Sequence, residues 1–169
     1  MTNLIIVIIA LLVLFTLVIV LKAKLNGGAD AADNYFLRKS LLTPAERSFL
    51  GVLEPVLPAG TRVFAKVRLE DIVGVKKGLD RAGRTSARNR IKSRHVDFLL
   101  VRTTDLVPVA GIELDDSSHE EESRQERDAF VDGVFASAGL PLLHVPAQKS
   151  YNPTDLKSKL AALPMADRN

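Results

Sequence analysis

The chain has 169 residues, of which 47% are apolar, 25% charged and 5% aromatic, and its formal net charge is +3. Such a composition excludes a disordered tail and a collagen-like repeat. Cysteine is absent, which excludes disulfides, thiolate zinc sites, iron–sulfur clusters and cysteine nucleophiles.

The apolar residues are unevenly spread. Leu4 to Leu21 is a run of 18 residues without a charge, Thr16 being its one weakly polar member. As a helix it rises about 27 Å, close to the ~30 Å hydrocarbon core of a bilayer. A cleaved signal peptide needs a basic start, an apolar stretch of about 7–15 residues and a small-x-small cleavage site. Met1-Thr2-Asn3 carries no positive side chain, and Lys22-Ala23-Lys24 stands where cleavage would fall. The sequence therefore predicts an uncleaved transmembrane anchor over residues 1–24, spanning about 4–21. Lys22, Lys24, Arg38 and Lys39 follow the span, against only the terminal amine before it. The positive-inside rule then expects a single-pass protein with its amino terminus outside and the remaining domain in the cytoplasm, at a bacterial inner membrane. Residues 25–42, with Asn26-Gly27-Gly28, read as a flexible tether. Setting aside the first 42 residues leaves 169 − 42 = 127, enough for one compact domain. That domain is expected over 43–163, with a short tail at 164–169.

Thr43-Pro44-Ala45-Glu46 predicts a helix start: a capping threonine, proline at the first helical position and a glutamate closing a capping box. Pro58-Ala59-Gly60 ends the element. Arg62 to Leu69 alternates, with Val63, Ala65, Val67 and Leu69 on one side, and predicts a strand. A short helix is expected within Asp71–Leu79. Residues 76–94 hold Lys76, Lys77, Arg81, Arg84, Arg88, Arg90, Lys92 and Arg94 against one acid, Asp80. They read as a mobile basic loop, equally suited to touching anionic lipid or to holding phosphates through counterion release. No aromatic is interleaved, so base stacking is not indicated. His95–Val101 and Val107–Leu114 predict an antiparallel pair around the turn Thr103-Thr104-Asp105. Asp115-Asp116-Ser117-Ser118 leads into a helix from about His119 to Ala138, closed by Gly139. Leu140–Val145 predicts a short buried strand, and a last helix is expected over Pro153–Leu163. The order is αβββαβ with a further helix.

Acids within apolar strands are the informative anomaly. Asp97 interrupts HVDFLLV, and Glu113 and Asp115 end VAGIELD. Side chains facing each other on adjacent antiparallel strands approach to about 5 Å, so Asp97 and Glu113 meet if register permits. Two such carboxylates repel unless a proton or cation intervenes. Hard oxygen ligands suit Mg²⁺ or Mn²⁺, and such an ion activates water for attack on a phosphodiester. His119 at the helix start suits a proton carrier, and Arg124 suits a phosphate contact. Plainer readings stand beside these. Glu46 is explained by its capping box, Asp116 by an N-cap, Arg124 with Asp128 by a surface ion pair, and His119 by a place at a helix end.

The segments LLTPAERSFL, VFAKVRLEDI, RHVDFLLV, VAGIELDDSSH, RQERDAFVD and AGLPLLHVP resemble domain-of-unknown-function family 2726, over roughly Leu41 to Pro146. That family is similar to the restriction-endonuclease-like PD-(D/E)XK superfamily, near the very-short-patch repair endonucleases. The resemblance implies a mixed sheet flanked by helices. It assigns Asp97 to the motif aspartate, Glu113 to the acid of E-x-K, and Glu46 to a first-helix acid. Asp115 departs from the pattern, standing where the usual lysine is found. Repair-type relatives also lack that lysine and place histidine nearby, which points to His119.

Residues and resemblance together predict a membrane-anchored, metal-dependent domain that hydrolyses phosphodiester bonds of nucleic acid, DNA being favoured. Glu46, Asp97 and Glu113 would hold Mg²⁺ or Mn²⁺, with Asp115 assisting and His119 moving protons. Arg124 and the basic residues of 76–94 would hold phosphates. The alternatives are a nuclease-fold module that binds nucleic acid without cutting it, and a scaffold whose basic segment touches anionic lipid.

Overall fold

The computed structural model describes residues 2–26, 34–115 and 122–164, with the side chains of 4–22, 34–115 and 126–164. It divides into two compact units, the first ending at Leu41 and the second beginning at Leu42.

The first unit contains α1 (Thr2–Asn26). Its segment Leu4–Lys22 has a mean hydropathy of 3.7 and no buried residue, so it is long and apolar enough to cross a membrane. Thr16, its one hydroxyl, is satisfied within the helix by the carbonyls of Leu12 and Val13 at 3.0 and 2.9 Å. Residues 27–33 of the expected tether lie outside the described residues.

The second unit is a four-stranded mixed sheet with helices on both faces. Its elements are α2 (Pro44–Leu53), β1 (Thr61–Arg68), α3 (Leu69–Ile72), α4 (Arg81–Ile91), β2 (His95–Arg102), β3 (Pro108–Asp115), α5 (Glu122–Ala138), β4 (Leu142–Pro146) and α6 (Pro153–Ala161). The strands lie in sequence order; β1–β2 and β2–β3 are antiparallel, and β3–β4 is parallel. The last pairing requires a crossover, and α5 supplies it.

Each helix boundary has a local cause. Thr43 accepts from the Glu46 N–H at 3.2 Å while Glu46 accepts from the Thr43 N–H at 2.8 Å, completing the capping box. Gly139, at φ 64°, closes α5, and the Leu140 N–H reaches back to the Phe135 carbonyl at 3.0 Å, the bond pattern of a Schellman cap. Asn152 caps α6.

Two cores sandwich the sheet. On one face Phe49 and Leu53 of α2 and Leu156 and Leu160 of α6 pack on Phe98, Leu100, Ile112 and Val145. On the other, Val131 and Phe135 of α5 and Ile91 of α4 pack on Val96, Leu99 and Val101. Burying each such side chain is worth about 1.5–3 kcal/mol, and these two layers hold the helices in place.

Three expectations are corrected. The basic segment is not a mobile loop, because Arg81–Ile91 forms α4. Asp80 caps it by accepting from the Gly83 N–H at 2.7 Å, and Gly83, Ala87 and Ile91 form its covered stripe at i, i+4, i+8. Three small or single apolar residues among arginines are a faint periodic signal. The helix expected within 71–79 is only the single turn of α3. The alternation of β1 also breaks. Val63 and Ala65 pack against the α2/α6 core, whereas Val67 packs against the α5 core. Lys66 lies between them at φ 56°, in the left-handed region that ordinary side chains rarely occupy.

Candidate functional site

The β2–β3 register pairs Phe98 with Ile112 and Leu99 with Gly111; continued by one residue, it sets Asp97 against Glu113. Side chains two apart on a strand share a face, so Asp97, Glu113 and Asp115 all lie on the face covered by α5. A cavity of about 380 Å³ opens there, lined among others by Lys66, Arg94, Asp97, Glu113, Asp115, Arg127 and His144.

Asp97 is the hub. Its Oδ2 accepts from the Leu114 backbone N–H at 3.0 Å. Its Oδ1 accepts from Lys66 Nζ at 2.7 Å, and the same ammonium donates to Glu46 Oε1 at 2.5 Å. Glu46, 7% exposed, is the one charged residue among the buried side chains described. Burial works against the charge on Lys66, but its hydrogen bonds to Asp97 and Glu46 outweigh that and hold its pKa above the ordinary lysine value. Glu113 shows the opposite balance. Desolvation, then the charge of Asp97 and a hydrogen bond with it, push its carboxyl up to about 8, against weaker pulls from His144 and Lys66. At neutral pH, Glu113 is a protonated acid beside a carboxylate.

At the cavity's other side, His144 of β4 bridges two acids. Its Nδ1 lies 3.0 Å from Asp115 Oδ1 and its Nε2 lies 2.9 Å from Asp132 Oδ1 on α5. Partial burial opposes a charged ring, yet the hydrogen bonds to Asp115 and Asp132 prevail and raise its pKa. His144 thereby ties β3, β4 and α5 together.

Asp97, Glu113 and Asp115 thus reach one cavity. Glu46 is brought to the same cluster, but both its oxygens are engaged, one by the cap and one by Lys66. Asp116, His119 and the side chain of Arg124 lie outside the described residues. Of the basic residues, Arg94 lines the cavity. Arg90 and Arg94 stack on Phe130 of α5, 4.1 and 4.7 Å from the ring centroid. Arg88 of α4 pairs with Glu70. Lys76, Lys77, Arg81, Arg84, Arg88, Arg90 and Lys92 are exposed.

Sequence reasoning missed Lys66 and His144. Lys66 occupies the polar phase of an alternating strand, where lysine is unremarkable; its meaning lies in the β1–β2 register, which flanks it with the pairs Ala65–Phe98 and Val67–Val96 and so sets it against Asp97. His144 had a signal, as the one ionisable residue in LPLLHV, and the parallel pairing places it beside Glu113.

Among the described residues, no group of three or more His, Asp or Glu side chains is set to hold a metal ion. Asp97 and Glu113 are of the donor type a hard cation takes, since Mg²⁺ uses one or two protein carboxylates and fills its other positions with water and substrate phosphate, and a cation there would have to share or displace the Lys66 ammonium on Asp97.

Fold and site define an α/β domain, a four-stranded mixed sheet flanked by helices, with a carboxylate–lysine cluster at the meeting of its three antiparallel strands. Over residues 38–163 the chain matches the family described as "Protein of unknown function (DUF2726)", and it belongs to that family. The match takes in every strand and every helix from α2 to α6. Comparison with curated proteins and with solved structures gives no match.

Proposed function

We propose that this domain is a restriction-endonuclease-like hydrolase of phosphodiester bonds in nucleic acid, DNA being the favoured substrate, and that its α1 anchors it to a membrane. The observation that carries the reading is the Asp97–Glu113 pair, two neighbouring carboxyl groups on adjacent strands that line one cavity flanked by arginines. Asp97 and Glu113 would hold Mg²⁺ or Mn²⁺, which supplies a polarised water and offsets charge on the phosphate. The Leu114 N–H orients Asp97. Arg94 and Arg127 stand at the cavity wall, where guanidinium forks suit phosphate oxygens. The cationic face of α4 extends that attraction along a nucleic-acid backbone.

The test uses the full chain in detergent with plasmid and single-stranded DNA, in Mg²⁺ or Mn²⁺. Cleavage by the parent is expected to fall at least about 100-fold in Glu113→Ala and Asp97→Asn, the scale of losing a group that acts in the transition state. Undiminished cleavage by both variants, or none by the parent, overturns the reading. A second reading rests on the Lys66–Asp97 ion pair, which already fills one oxygen of the motif acid. In that reading the domain binds nucleic acid without cutting, and steeply salt-dependent binding with no metal-dependent product selects it.

A further inference from the structure

A strand residue at positive φ costs roughly 1–2 kcal/mol unless it is glycine. Lys66 adopts φ 56° inside β1, and around it the apolar residues of β1 switch from one core to the other. The conformation brings its ammonium to 2.7 Å from Asp97 and 2.5 Å from Glu46, in a half-buried position on the cavity wall. A lysine needed only to cover exposed sheet would require none of this. Meanwhile β3 carries Asp115, not a cation, two residues after Glu113, and Asp115 is engaged with His144.

We propose that Lys66 supplies the substrate-facing ammonium of this site from β1, with Glu46 as the residue that positions it. This rests on the phosphodiesterase reading above. During hydrolysis a water oxygen bonds to phosphorus and the ester P–O bond breaks, with the proton released by water and the one taken up by the leaving oxygen exchanged with solvent. Lys66 gives and takes no proton. Its fixed charge meets the extra negative charge that develops on the non-bridging oxygens, and preorganised charge of this kind acts chiefly on kcat. In the resting protein the same ammonium neutralises Asp97 and Glu46, so it competes with a cation for Asp97.

The test compares full-length parent, Lys66→Gly, Lys66→Met, Lys66→Arg and Glu113→Ala in detergent. Glycine removes the amine while suiting φ 56°, so a folding failure of the methionine variant does not end the experiment. Cleavage of an oligonucleotide duplex gives kcat and KM separately, and calorimetric titration with Mn²⁺ without DNA gives a second readout. The expected result is a fall in kcat of about 100-fold or more in Lys66→Gly and Lys66→Met with KM little changed, partial recovery in Lys66→Arg, and tighter Mn²⁺ binding in Lys66→Gly. A merely structural lysine would leave kcat near the parent value in any variant that folds. If Glu113→Ala is inactive while Lys66→Gly cuts like the parent, this inference fails and the site reading stands. If Glu113→Ala cuts like the parent, or the parent does not cut, the site reading fails and takes this inference with it.

Discussion

Glu113 is a carboxyl that folding holds in its neutral form. Desolvation and the neighbouring Asp97 push it up to about 8 in the folded chain, from 4.5 for an unperturbed glutamate. Between those two values the folded chain keeps a proton that the unfolded chain has released. Stability therefore falls as pH rises through that window. With EDTA present, Glu113→Gln is expected to flatten this decline and to exceed the parent at a pH of about 8.5 by up to roughly 4 kcal/mol. The two are expected to converge below pH 4.5. Thermal unfolding across pH measures this, and parallel parent and variant curves would refute it. A strongly perturbed acid lining a cavity is a common feature of functional sites.

At the scale of elements, the position of α5 decides whether the cavity exists. Gly111 of β3 lets that helix approach, since a Cβ there would stand 2.4 Å from Phe135 Cε1 and 2.8 Å from Leu142 Cδ1. Phe135 is fully buried and has nowhere to retreat, so Gly111→Ala is expected to destabilise the domain by about 1–3 kcal/mol or more. Its unfolding temperature tests this, and an unchanged value would show that α5 moves freely on the sheet. The same displacement would part Asp132 from His144 and open the cavity wall. The four strands, the capping box of α2, the β2–β3 hairpin and the close of α5 were legible because each rests on neighbours within a few residues. Helix α4 was not, because its covered stripe of Gly83, Ala87 and Ile91 is too small and too sparse to stand out among arginines. The face switch in β1 was not either, because Lys66 takes its conformation from partners on α2 and β2.

For the whole molecule, the formal net charge of +3 understates the local field. Lys76, Arg81, Arg84 and Lys92 are exposed on and beside α4, and a cationic helix adjoining an acid-lined cavity suits a polyanion held by its backbone. Replacing these four by glutamine is expected to weaken duplex DNA binding and to reduce the slope of log K against log salt by about 3–4, near 0.9 for each phosphate that the protein no longer neutralises. Anisotropy titrations of the full chain at several salt concentrations measure the slope. An unchanged slope would remove α4 from the binding surface.

The sequence by itself determined the apolar span, the four strands in their chain order and the three acids worth attention. These are set by composition, periodicity and short-range capping, which act along the chain. Only the tertiary structure decided that Asp97 and Glu113 line one cavity, that Glu46 is joined to Asp97 through Lys66, and that His144 bridges Asp115 and Asp132. Each of those contacts joins different strands or helices, and strand register and helix packing are fixed by burial of the two cores together rather than by any one segment.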